Sequence, residues 1–94
     1  MELTLDLARD YLGGVRTAVE RMRTAHIETT KADAHRLLGS ARMLGLEAFE
    51  TLWPRVEELA SLYDRIPDDT VDELRRACIE LESWIEGQHE KQRA

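Results

Sequence analysis

One histidine in this chain stands where its chemistry can be put to use. His35 opens the stretch HRLLGSARMLGL, residues 35–46. Apolar residues there recur at helical spacing, and at about 100° per residue Ala34, Leu37, Ala41 and Leu44 define the direction of a core. His35 projects roughly a quarter turn away from that direction, on the flank of the helix. Lys31 lies one turn before it, Gly39 one turn after it and Arg42 two turns after it, all on the same side. A neutral imidazole, with an unperturbed pKa of about 6.5, is a competent nucleophile near pH 7. Carrying a phosphoryl group, it would become anionic and favour nearby positive charge. Lys31 and Arg42 are placed to supply that charge, with Arg36, further round the helix, as a weaker candidate. Gly39 removes a side chain where another protein must come close. Taken singly, each of these residues has an ordinary explanation: a surface histidine, solvated charges, a glycine that serves packing.

The elements that must hold this face are all helical. Leu5, Ala8, Leu12, Val15, Val19 and Met22 form one apolar stripe, predicting a first helix over about residues 4–25. The second carries Ala34, Leu37, Leu38, Ala41 and Leu44. It is expected to begin near Thr29 or Thr30, with Thr30 and Asp33 as a capping box, and to end near Gly45. The third carries Phe49, Leu52, Trp53, Val56, Leu59, Ala60 and Tyr63. Pro54 inside it predicts a kink, or a fresh start at Trp53–Pro54. The fourth carries Val71, Leu74, Cys78, Leu81 and Ile85. Thr70 with Glu73 is its expected capping box and Gly87 its expected end, leaving a polar tail from about residue 88 that frays. Gly13-Gly14 in the first helix reads as close packing or a local bend. No alternating strand pattern competes. Short linkers make successive helices antiparallel, so the fold class is all-α: one up-down four-helix bundle domain spanning residues 1–94.

Composition narrows the function. The net charge is −6, which argues against nucleic-acid binding. No apolar run approaches the ~20 residues that span a bilayer, and the acidic start MELTLDLARD is unlike a signal peptide. A single cysteine forms no internal disulfide, so Cys78 reads as a small buried hydrophobe in a cytoplasmic protein. His26, His35 and His89 share no metal-ligand spacing, and no metal or other cofactor is expected on this chain. The paired carboxylates Glu57-Glu58 and Asp68-Asp69 read as solvated or capping groups. Trp53 and Trp84 read as anchors of the core or its edge.

HRLLGSARMLGL resembles the signature of the histidine-containing phosphotransfer domain family, a pattern close to H-x-L-K-G-S-x-x-x-L-G. His35, Leu37, Gly39, Ser40, Leu44 and Gly45 fall on matching positions, and the family's four-helix bundle has about this length. The resemblance implies that His35 accepts a phosphoryl group, through Nε2, from the phosphoaspartate of a receiver domain and passes it to another receiver. The receivers, of response regulators or hybrid sensor kinases, would supply Mg²⁺, and the chain would be a carrier without its own ATP site, expected to work as a monomer. The family usually has lysine where this chain has Leu38. Lys31 or Arg42 is expected to substitute for its charge, while Leu38, bordering the core stripe, is expected to add apolar contact for the partner. Two other readings stay open: a module that binds a receiver or kinase without carrying phosphate, and a plain helical scaffold.

Overall fold

The computed structural model describes residues 2–93. Among them are four helices: α1 (Leu5–Arg21), α2 (Ile27–Leu44), α3 (Glu47–Leu62) and α4 (Asp68–Arg93). Each neighbour in the order α1–α2–α3–α4 packs on the next, α4 closes back on α1, and the α1/α4 and α2/α3 pairs pack most extensively. Of the diagonal pairs, α1 and α3 meet through the side chains of Tyr11, Phe49 and Trp53. This is the closed ring of an antiparallel up-down bundle.

Local chemistry sets the helix boundaries. The Thr4 hydroxyl accepts from the Leu7 N–H at 3.2 Å and caps α1. The chain then turns over Met22–Ala25, so α1 ends four residues before its expected end. α2 starts at Ile27 with His26 as its cap residue. Thr30 is therefore already inside the helix, and the expected Thr30–Asp33 capping box does not form. Asp33 instead receives Arg21 through both carboxylate oxygens, at 2.8 and 2.9 Å. Gly45 ends α2 in the left-handed conformation, at φ 70°. That geometry is strained for a residue with a Cβ, and it lets the Leu46 N–H reach back to the Ala41 carbonyl at 3.0 Å.

Pro54 does not restart α3. The helix runs through it, because burial of Phe49, Leu52, Trp53, Val56 and Ala60 on one face outweighs the one backbone bond the proline removes. Tyr63 leaves the expected stripe. It lies just past the helix in extended backbone and is exposed, and Ile66 closes that end of the core in its place. α4 begins at Asp68, two residues before Thr70, so the Thr70–Glu73 box also fails; Glu73 pairs with Arg55 at 2.9 Å. Nor does Gly87 end α4, which continues to Arg93 instead of fraying from residue 88. Gly87 lacks the positive φ of a terminating glycine, and good helix formers surround it.

The core is continuous through all four helices. Tyr11 on α1 meets Phe49 on α3 edge-on at 5.3 Å, and Phe49 stacks towards Trp53 at 6.4 Å. Trp53 is wholly buried, while Trp84 stands at the core's edge. Close packing requires neither Gly13 nor Gly14. A Cβ on Gly13 would meet nothing within 4 Å, and one on Gly14 would touch only the Leu37 side chain at 3.6 Å. No helix of the described residues is long and apolar enough to cross a membrane.

Candidate functional site

α2 presents His35 from its middle, where neighbouring turns fix the backbone on both sides. The imidazole is 84% exposed. Its Nδ1 lies 3.0 Å from Oε1 of Glu57 on α3. A carboxylate only accepts hydrogen bonds, so in the neutral ring Nδ1 carries the proton and donates it to Glu57. The lone pair is thereby left on Nε2, the nitrogen without a partner among the described residues. A bound, oriented imidazole with a free Nε2 is a poised nucleophile.

A shallow concavity surrounds it, lined by Glu28, Lys31, Ala32, His35, Arg36 and Glu57. Two of the expected cations are therefore beside the histidine. Lys31 is exposed and has no ion-pair partner among the described residues. Arg36, given second rank from the sequence, lines the same concavity, with one guanidinium nitrogen 3.5 Å from Asp33. Arg42 is exposed on α2 but lies outside the concavity, about 10 Å further along the axis at 1.5 Å per residue. Gly39 faces open space: a Cβ there would meet nothing within 4 Å. α2 thus leaves a bare notch one turn beyond the imidazole.

Leu38 is placed differently from expectation. It is 6% exposed and belongs to the core cluster, so it offers a partner almost no surface. Glu57 is the His35 partner that sequence reading missed. Its neighbour Glu58 is solvated as expected, but Glu57 lies at the flank of the α3 core stripe, one turn after Trp53. Only the pairing of α2 with α3 reveals what it faces.

The one cysteine is not a competing nucleophile. Cys78 is buried, and burial pushes its thiol above the ordinary cysteine range, keeping it protonated. Among the described residues no group of three or more His, Cys, Asp or Glu side chains is placed to hold a metal ion.

The family model of the Hpt domain matches residues 1–84. The chain belongs to the Hpt domain family. No curated protein and no solved structure matches it. Hpt domains are carriers in histidine phosphotransfer, and they work with receiver domains of phosphorelays. The match covers all of α1 to α3 and α4 as far as Trp84. The last turns of α4 lie beyond it. Among the described residues, His35 is the one histidine that an acidic side chain orients while leaving the ring in solvent.

Proposed function

We propose that this Hpt domain relays a phosphoryl group through His35, taking it from the phosphoaspartate of one receiver domain and giving it to the aspartate of another. The observation that supports this most directly is the His35–Glu57 pair: an exposed imidazole whose Nδ1–H is held and whose Nε2 is free. In the forward step the Nε2 lone pair attacks phosphorus. The bond from phosphorus to the aspartyl oxygen breaks, and the donor leaves as a carboxylate. The ring then carries the phosphoryl group on Nε2 and a proton on Nδ1, and Glu57 faces the positive charge that develops on the ring. Return to a receiver reverses these steps. Mg²⁺ belongs to the receiver in this reading, which supplies most of the charge stabilisation at phosphorus. Lys31 and Arg36 take over the role of the family's usual lysine, because both border His35. Arg42 and the notch at Gly39 form part of the face that the receiver covers. The protein works as a monomer in the cytoplasm.

One observation favours a second reading. With Leu38 buried where the family has lysine, the chain in this reading binds a receiver and holds it without accepting phosphate. The test that separates the two is incubation with a receiver charged by acetyl phosphate, with wild type beside His35→Gln. Acid-labile, alkali-stable label on wild type alone supports the relay. Binding without label supports occupancy, and neither binding nor label leaves a helical scaffold.

A further inference from the structure

We propose that Tyr11 is a positioning residue for His35: its buried hydroxyl ties α1 to both α2 and α3 and fixes the register in which Glu57 meets the imidazole. The hydroxyl is used in both directions. It accepts from the Trp53 indole N–H at 2.9 Å and donates to the Leu37 carbonyl at 2.8 Å. Trp53 precedes Glu57 by one turn of α3, and Leu37 follows His35 by two residues of α2. The bridge therefore lies within about one helical turn, roughly 5 Å, of the contact it would govern.

Register matters because of the kinds of contact present. Among the described residues, His35–Glu57 is the only side-chain hydrogen bond made directly between α2 and α3. The buried residues of the two helices are mainly apolar, and apolar contact is non-directional, so it tolerates a small slide of one helix along the other. A hydrogen bond does not: it weakens steeply as its angle falls towards 120° and is lost beyond about 3.5 Å. A slide of about 2 Å across the 3.0 Å His35–Glu57 contact would carry it past that limit. The Tyr11 bridge is directional and satisfied at both ends. Burial also pushes the phenol well above the ordinary tyrosine range, so it stays a neutral donor at any working pH. Simple satisfaction of the Trp53 N–H needs an acceptor only. The further donation to α2 is what couples the two helices.

The consequence for transfer rests on the function proposed above, whereas the consequence for the imidazole does not. The experiment uses the full chain with ¹⁵N-labelled histidine, and His35→Gln identifies the His35 signals among those of the three histidines. Tyr11→Phe keeps the ring and removes the bridge. Expected are a shift of the His35 nitrogens away from the Nδ1–H tautomer and a transfer rate about two- to tenfold lower, the lower part of the range of couplings between contacting groups. In a Glu57→Ala background, Tyr11→Phe should then slow transfer no further. His35 nitrogen shifts unchanged by Tyr11→Phe overturn the proposal, and so does an equal slowing with and without Glu57. Should the phenylalanine variant not fold, 3-fluorotyrosine in a Tyr63→Phe background alters the donor strength of Tyr11 alone, and the same nitrogen signals decide. A wild type that takes no phosphoryl group refutes the relay, while the nitrogen signals still decide the role of Tyr11.

Discussion

Two glycines of the same helical type make a controlled comparison of fold against function. Gly13 and Gly39 both lie inside helices, both are exposed, and a Cβ on either would meet nothing within 4 Å. Alanine is better than glycine in a helix interior by about 1 kcal/mol. Each substitution should therefore raise stability by about that amount, or about 4–8 °C in the melting midpoint of a domain this small. The two part company in transfer. Gly13 lies on α1, away from His35, and Gly13→Ala should transfer at the wild-type rate. Gly39 lies one turn from the imidazole, and a methyl forced into a fitted contact costs about 1–3 kcal/mol, roughly five- to a hundredfold in rate. Thermal melts by circular dichroism give the first quantity, and kcat/KM for label transfer from a charged receiver gives the second. If Gly39→Ala is as stable as Gly13→Ala and transfers as fast as wild type, the bare notch has no part in docking and the reasoning fails. If Gly39→Ala is less stable than wild type, the space beside it is not open.

Glu57→Ala should slow transfer about five- to tenfold with little change in the melting midpoint, since the bond it removes is charge-assisted but exposed to solvent. Lys31→Ala with Arg36→Ala should shorten the lifetime of the phosphohistidine, read as release of label over time, and should do so more than Arg42→Ala. Asp33→Ala should cost about 1–2 kcal/mol in urea unfolding, because it removes a two-pronged arginine contact whose solvent-facing half is already screened. Stability should fall as pH rises past the ordinary cysteine value of 9.0. There the unfolded chain gives up the Cys78 proton and the folded chain keeps it, so the fall should be shallower in Cys78→Ala.

The helices and the core were legible because both follow from the spacing of apolar residues. Ala8, Leu12, Val15, Leu37, Val56, Leu74 and Ile85 all lie where periodicity put them. The ends were read less well, because the capping signals pointed to the wrong turn. Thr30 and Thr70 look like caps in sequence, yet the helices start earlier and bury both. Leu38 was ambiguous for a related reason: a residue at the border of a stripe faces the core or a partner according to how closely the next helix approaches. The exposed place of His35 on the flank of α2 was legible from the helix wheel, which sets it beside Lys31, Gly39 and Arg42 at four and seven residues. Its orienting carboxylate was not. Glu57 is 22 residues away, and only the register of two antiparallel helices brings it to Nδ1. No local pattern distinguishes it from Glu58, which sits beside it and faces water.

The cross-helix polar contacts show how the site is built into the bundle. Arg16 pairs with Glu82 between α1 and α4, Arg21 with Asp33 between α1 and α2, and Arg55 with Glu73 between α3 and α4. Each joins a guanidinium that stays charged to a carboxylate. The fourth neighbouring pair, α2 and α3, is joined instead by His35 and Glu57. An arginine at position 35 would serve the fold as well as the other three do. A histidine gives a tie that is electrostatically weaker than a guanidinium–carboxylate pair, and in exchange the neutral ring has one nitrogen held while the other keeps a lone pair. Where the tie between helices is weakest, its alignment must come from elsewhere, and among the described residues the buried Tyr11 hydroxyl is the one side-chain group hydrogen-bonded to both helices. The chemistry of the surface site and the polar centre of the core are then two ends of one arrangement, with α2 and α3 as the parts that connect them.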